Sequence, residues 1–150
     1  MSASKPLSET VHASCVAIAG RGVLIAGRSG SGKSDLALRL IDRGAVLVSD
    51  DYTLVAYAGG QLLGSAPGTI AGKIEVRGVG LVELDAVSNV PICLLVDLDR
   101  VPDRLPEGDE RTRLAGVDLP TIGLAALEAS APIKLEYALR MFGLPSQGPS

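Results

Sequence analysis

The chain has 150 residues, 47% of them hydrophobic, which is enough for one domain with a sizeable core and too little for two. Three tyrosines, one phenylalanine and no tryptophan leave little of the stacking surface that binds single-stranded nucleic acid. The formal net charge of −3 also disfavours nucleic acid or an anionic membrane as the main partner. The expected substrate is therefore a protein or a small molecule.

Cysteine usage and hydropathy indicate the compartment. Cys15 and Cys93 each lie in an apolar run without metal-type spacing, which indicates buried, reduced thiols. No stretch reaches the ~18 apolar residues that a membrane helix needs, and the first ten residues contain no apolar signal core. The sequence therefore predicts a cytoplasmic protein whose residues 1–10 are flexible.

The chain begins its regular structure with two apolar runs. Residues 11–18 predict a strand interrupted by His12 and Ser14, and the turn at residues 20–22 leads into a second strand that ends at Ala26. These strands place the next segment at a strand end.

That segment matches the phosphate-binding pattern G-x-x-x-x-G-K-[ST]. Its residues are Gly27, Arg28, Ser29, Gly30, Ser31, Gly32, Lys33 and Ser34. The glycines let backbone N–H groups surround phosphates, Lys33 can reach the β and γ oxygens, and the Ser34 hydroxyl can ligate Mg²⁺. Apolar residues at helical spacing predict a helix over residues 35–43, ended by Gly44. The order of strand, loop and helix predicts that the chain binds a nucleoside triphosphate.

The middle of the chain predicts strands that cannot all be parallel. Residues 45–49 predict a strand that ends in Asp50-Asp51. Gly59-Gly60, between apolar residues 52–58 and 61–66, is a two-residue hairpin signal. We therefore expect an α/β fold with a mixed sheet.

The second half of the chain predicts both strands and helices. Residues 73–77 alternate charged and apolar side chains, and residues 92–98 predict a buried central strand. A charged, proline-containing stretch, residues 101–114, predicts a mobile surface segment. The remaining predictions are helices over residues 124–129 and 132–142, a domain over residues 11–143 and a disordered tail over residues 144–150.

Several acidic residues could stand opposite the γ-phosphate. Asp50 and Asp51 follow a strand at the sheet edge that also holds the phosphate loop. Neighbouring residues on an extended chain point to opposite sides, so only one of them easily faces the phosphates. Asp97 and Glu75 compete as Mg²⁺ ligands, and the pattern alone does not separate these alternatives. His12, the only histidine, is either structural or catalytic.

Taken together, these motifs resemble the catalytic domain of HPr kinase/phosphorylase, the bacterial enzyme that phosphorylates a seryl residue of the phosphocarrier protein HPr. The positions that match the family's order are His12, Gly20 to Gly22, Gly27 to Ser34, Asp35, Arg43-Gly44 and Ser49 to Asp51. The family's E-I-R-G-x-G and D-R-L signatures resemble residues 75–80 and 103–105. The resemblance covers residues 11–142.

The resemblance implies the P-loop kinase fold shared with PEP carboxykinases. It also implies ATP and Mg²⁺ as cofactors, an HPr-like phosphocarrier as partner and a homo-oligomer, commonly a hexamer. The implied roles are Asp51 as the base, Asp50 and His12 as its support, Lys33 on the phosphates, Ser34 and Glu75 on Mg²⁺, and Arg104 against the transferring phosphate. On this reading Asp97 is no longer the metal acid.

The chain also departs from the family pattern. We expect the chain to lack the family's separate N-terminal domain and its C-terminal HPr-gripping helix. The family's basic segment P-V-R-P-G-R-N, tied to phosphorolysis, has no match in residues 124–130. The chain is similar to the short alphaproteobacterial form, for which kinase activity is expected more than reversal. Two alternatives stay open: a small-molecule kinase on the same scaffold and an ATP-gated binding module without turnover.

Overall fold

The computed structural model describes residues 7–145, so residues 1–6 and 146–150, within the predicted flexible ends, lie outside the described residues. The strands are β1 (Ser8–Val11), β2 (Ala13–Ile18), β3 (Arg21–Ala26), β4 (Val46–Ser49), β5 (Thr53–Ala58), β6 (Gln61–Ser65), β7 (Lys73–Val76), β8 (Gly80–Glu83), β9 (Val90–Asp97), β10 (Arg111–Leu114) and β11 (Val117–Gly123). The helices are α1 (Lys33–Asp42) and α2 (Ala131–Phe142), with a single 3₁₀ turn at Gly68–Ile70.

Nine of these strands form one mixed sheet. Its order is β1-β5-β6-β9-β3-β2-β4, with β11 paired to β9 and β10 paired to β11, while β7 and β8 form a separate hairpin. The strands β3, β9 and β11 run parallel and end in register at Ala26, Asp97 and Gly123. Ligands of α/β sheets bind beyond the carboxyl ends of such strands, so this edge of the sheet is the expected place for a site.

The core lies on both faces of the sheet because successive strand residues point in opposite directions. On β3, Val23 and Ile25 face the cluster that contains the helices, and Leu24 faces the second cluster. Helix α1 buries Leu36 and Leu40, four residues apart, against the first of these clusters. This packing fixes α1, and with it the loop that precedes it.

Several predicted elements are confirmed. The strand before the phosphate loop, helix α1, the central strand β9 and helix α2 all form where the sequence placed them. The Gly59-Gly60 hairpin joins β5 to β6, and both glycines have positive φ (59° and 84°), which matches the two-residue turn. The antiparallel pairs make the sheet mixed, as predicted.

Other expectations were wrong. Residues 124–129 do not form a helix: the Arg39 guanidinium binds the backbone carbonyls of Ala126 and Glu128, which hold this segment as turns before α2 begins. Residues 101–114 are not one loop, because Arg111–Leu114 forms β10 against β11. Strands β8, β10 and β11 were not predicted from the sequence.

The ordered domain also extends further than residues 11–143. Residues 8–10 pair with β5 as part of β1 instead of belonging to a flexible start. Leu144 donates its N–H to Cys93 O at 2.8 Å and accepts from Arg21 at 2.7 Å, so it belongs to the packed domain. The two helices described between residues 7 and 145 have 10 and 12 residues, and neither could span a membrane.

Candidate active site

The phosphate loop leads from the end of β3 directly into α1. Gly32 is the N-cap of α1 with φ 101°, a left-handed conformation that favours glycine, and no side chain caps this helix end. The N-terminus of a helix carries partial positive charge and free N–H groups, which bind anions. Among the described residues, the buried Ser31 hydroxyl of this loop has no hydrogen-bond partner. An uncapped helix start with an unpaired donor fits a loop that surrounds phosphate.

Lys33 is held under this loop by the loop's own backbone. Its ammonium group donates to Gly27 O at 2.8 Å and to Arg28 O at 3.1 Å, and the residue is only 5% exposed. Its Nζ lies 3.8 Å from Asp51 Oδ1. The ammonium charge is therefore fixed between the loop and the aspartate pair.

Asp50 is the more buried member of that pair, and its carboxylate accepts hydrogen bonds from three different elements. Its Oδ1 accepts from the Ser34 hydroxyl at 2.5 Å and from the Ser14 hydroxyl at 3.1 Å. Its Oδ2 accepts from the backbone N–H of Glu75 at 3.0 Å. One carboxylate thus joins the phosphate loop, the strand β2 and the strand β7.

Asp51 occupies a strained backbone conformation. Its φ is 66°, and the N–H of Tyr52 donates to Asp50 O at 2.7 Å, so Asp51 is the central residue of a three-residue turn. Its Oδ1 accepts from His12 Nε2 at 3.0 Å, and since a carboxylate only accepts, Nε2 carries the proton. The His12 ring also stacks on Tyr52, with 5.0 Å between centroids. The turn directs the half-exposed Asp51 carboxylate into the cavity, while Asp50 faces inward.

Lys33, Ser34 and Asp51 border one cavity of about 520 Å³, whereas His12 and Asp50 are not part of its wall. Its walls are the phosphate loop with the first turn of α1, Asp51, residues 75–77, and the apolar side chains of Leu38 and Leu127. Glu75 and Arg77 were predicted to share one face with Lys73; both reach the cavity, whereas Lys73 is not part of its wall. The Glu75 carboxylate, an oxygen ligand suited to a hard cation, therefore lies beside the phosphate loop.

Two of the predicted residues lie elsewhere. Arg104 is exposed in the segment between β9 and β10, outside the cavity wall. Asp97 ends β9 beside Ala26, but its Oδ1 accepts from the N–H of Asp99. Asp99 in turn accepts from the N–H of Arg28 at 2.9 Å, so these acids support the base of the phosphate loop.

Sequence reasoning missed two residues that hold the site together. Ser14 was noted only as a polar interruption of a strand, yet its hydroxyl contacts both aspartates. Asp99 was not singled out, although its carboxylate ties β9 to the loop. Polar residues in apolar strands are a usable signal, because a buried polar group needs a partner.

Neither cysteine belongs to the site. Burial raises the pKa of the Cys15 thiol well above its usual range. Burial also raises the pKa of Cys93, opposed by the neighbouring Arg21 guanidinium. Both thiols are free and buried, as the sequence predicted, and are held in the unreactive protonated form.

The parallel strand, the G-x-x-x-x-G-K-S loop and the helix that it opens define the P-loop class of nucleotide-binding folds. Within this class, residues 5–130 match the family model of the HPr serine kinase C-terminal domain. The chain belongs to this family.

Individual relatives agree with the family match. The HPr kinase/phosphorylase of Clostridium beijerinckii is 45% identical over 91% of this chain and 52% of its own length. That of Brevibacillus brevis is 39% identical over 93% of this chain and 49% of its own length. The chain spans between a quarter and about half of the length of the curated relatives that it matches.

A solved structure shows the same fold. The Hpr(Ser) kinase/phosphatase from Coxiella burnetii superimposes with a TM-score of 0.75 at 30% sequence identity, covering 88% of each chain. The predicted relation to the HPr kinase fold is therefore confirmed.

Proposed function

We propose that this protein is an ATP- and Mg²⁺-dependent kinase that phosphorylates a seryl residue of an HPr-type phosphocarrier. The observation that carries the proposal is the position of Asp51, which lies 3.8 Å from the phosphate-loop lysine and 3.0 Å from His12 at an open cavity. A nucleotide-binding module without turnover does not need a strained carboxylate beside its lysine. Membership of the HPr kinase family supplies the substrate class.

In the proposed reaction, Asp51 accepts the seryl proton. Phosphoryl transfer depends mainly on positioning and charge stabilisation, so the carboxylate first orients the hydroxyl and takes its proton late. His12 fixes the Asp51 carboxylate through Oδ1 and leaves Oδ2 for the substrate. Lys33 holds the β and γ phosphates of ATP. Arg104 lies outside the cavity wall, so it would approach the transferring phosphate only after its exposed segment moves towards the loop.

The residues present fit a magnesium ion. The Ser34 hydroxyl and the Glu75 carboxylate border the cavity, and Asp50 accepts from Ser34 directly behind it. In residues 7–145 there is no group of three or more His, Cys, Asp or Glu side chains that could hold a metal, but Mg²⁺ commonly takes one or two protein oxygens, substrate phosphates and water. Bound Mg²⁺ would neutralise charge on the phosphate oxygens.

The direct test is transfer from γ-labelled ATP to purified HPr-type carriers. We expect label on the carrier, at a serine located by mass spectrometry, and none on a carrier whose acceptor serine is replaced by alanine. A second arm adds inorganic phosphate to the labelled carrier. Since residues 124–130 lack the family's basic segment, we expect little release of label in that arm.

The same assay separates the alternatives. A small-molecule kinase would transfer label to a metabolite and not to any carrier. A binding module would retain ATP without transfer, and Asp51→Asn would leave its partner binding intact. Either result would replace the proposed function.

A further inference from the structure

Ser14 is a buried polar residue that lies between the two aspartates of the site. It is in β2, flanked by the core residues Ala13 and Cys15, and it is 0% exposed. Its hydroxyl donates to Asp50 Oδ1 at 3.1 Å and accepts from the backbone N–H of Asp51 at 2.9 Å. A hydroxyl that both donates and accepts in the core is fixed in one orientation.

The contact with Asp51 supports a backbone that would not adopt its conformation unaided. Asp51 has a φ of 66°, where side chains are rarely found and which persists only when the surroundings fix it. Ser14 binds the N–H at the centre of this turn. The direction of the Asp51 carboxylate therefore depends on a hydroxyl from a different strand.

The contact with Asp50 reaches the phosphate loop. Ser14 and Ser34 donate to the same oxygen of Asp50, at 3.1 and 2.5 Å. That oxygen is thereby oriented between β2 and the first turn of α1. One buried side chain thus connects the acid that faces the loop and the acid that faces the cavity.

We propose that Ser14 is a positioning residue that aims Asp51 at the phosphoacceptor and fixes Asp50 against Ser34. It does not touch substrate. The inference rests on the proposed function, since it assigns Asp51 and Asp50 their places in phosphoryl transfer. A misplaced reacting group can lower the rate about 100-fold without changing the residues that react.

The chain offers a matched control for a purely structural role. Thr53 is also 0% exposed and its hydroxyl donates to Ala13 O at 2.7 Å, directly beside Ser14. Thr53→Val removes one buried hydroxyl from the same region without touching either aspartate. Comparison with this variant separates loss of positioning from loss of packing.

The experiment compares wild type, Ser14→Ala, Ser14→Cys and Thr53→Val. The cysteine variant keeps more of the side-chain volume but supplies only a weak donor. Four quantities are measured: kcat and KM for ATP in carrier phosphorylation, hydrogen exchange at the Asp51 amide, and Tm.

For Ser14→Ala we expect kcat to fall about 10- to 100-fold while KM for ATP stays within about threefold. The Asp51 amide should exchange at least about tenfold faster, because its acceptor is gone. Ser14→Cys should also lower kcat and speed the exchange of the Asp51 amide. Thr53→Val should keep kcat and Asp51 exchange near the wild-type values, whatever its Tm.

If Ser14→Ala has the same kcat and the same Asp51 amide exchange rate as Thr53→Val, the positioning role of Ser14 is overturned. An equal loss of kcat in Thr53→Val would do so too, because the effect would then be general destabilisation. Hydrogen exchange needs no substrate, so this inference can be tested separately from the proposed function. An inactive wild type overturns the kinase proposal. A fully active Ser14→Ala overturns only the positioning role of Ser14.

Discussion

His12 donates from Nε2 to Asp51 Oδ1 at 3.0 Å, joining two residues 39 positions apart in the chain. The imidazole occupies one oxygen of the carboxylate that we propose as the base. His12→Ala should therefore lower kcat about 10- to 100-fold, because the carboxylate loses its fixed orientation, with a smaller effect on KM for ATP. Steady-state kinetics of carrier phosphorylation measure both constants.

Tyr52→Phe is the control for this prediction, because it keeps the ring that stacks on His12 and removes only the phenol oxygen. It should retain wild-type kcat. Full activity in His12→Ala would show that Asp51 needs no imidazole partner.

Glu75 borders the cavity from β7 and is the proposed second oxygen ligand for Mg²⁺. Glu75→Gln should raise the Mg²⁺ concentration for half-maximal activity about tenfold or more, because the amide carries no charge. Glu83→Gln, opposite Lys73 on the same hairpin, should leave the Mg²⁺ titration unchanged. Indistinguishable titrations for the two variants would remove Glu75 from the metal site.

The sequence predicted the phosphate loop well because its chemistry is local. A strand, a glycine-rich turn and a helix start are contiguous between Arg21 and Asp42, so the pattern contains the whole structure. The same applies to the Gly59-Gly60 hairpin, where two residues with positive φ determine the turn.

What could not be predicted depends on distant partners. Residues 124–129 have a helical composition, but two of their carbonyls accept from Arg39, more than 80 positions away in sequence, and the segment forms turns instead. The different orientations of Asp50 and Asp51 follow from contacts with Ser14, Ser34 and His12 on three other segments. Strand β10 is short and strand β11 is interrupted by Pro120, so the sequence pattern did not indicate that they pair.

Helix α1 connects the core to the phosphate loop through Leu36, which is fully buried. Leu36→Ala should lower the free energy of unfolding by about 2–5 kcal/mol, from lost burial and the resulting cavity. Met141→Ala on α2, where the side chain is 70% exposed, should change it little. Urea denaturation checks the difference, and equal effects would contradict the packing of α1.

Alkaline pH should destabilise the protein through Cys15, because burial raises the pKa of this thiol in the folded state. Above about pH 8.5 the unfolded chain loses the thiol proton while the folded chain keeps it. The unfolded state then binds fewer protons, so stability falls as pH rises further. Below about pH 8.5 the stabilising contribution of the protonated Cys15 thiol is fully present.

Cys15→Ala cannot titrate at this position, so its stability should decline less steeply between about pH 8.5 and 11 than that of wild type. Lysines and tyrosines contribute equally to both proteins and cancel in the difference. Parallel pH profiles from urea denaturation would contradict the prediction.

The central claim is that Asp51 serves phosphoryl transfer to a carrier protein, and the most direct measurement is label transfer from γ-labelled ATP by wild type and Asp51→Asn. Asp118→Asn, which changes an exposed aspartate paired with Arg113, is the matched control. We predict a labelled seryl carrier with wild type and Asp118→Asn, and a loss of at least about 100-fold in Asp51→Asn with ATP binding retained. Transfer by Asp51→Asn at the wild-type rate would contradict the account.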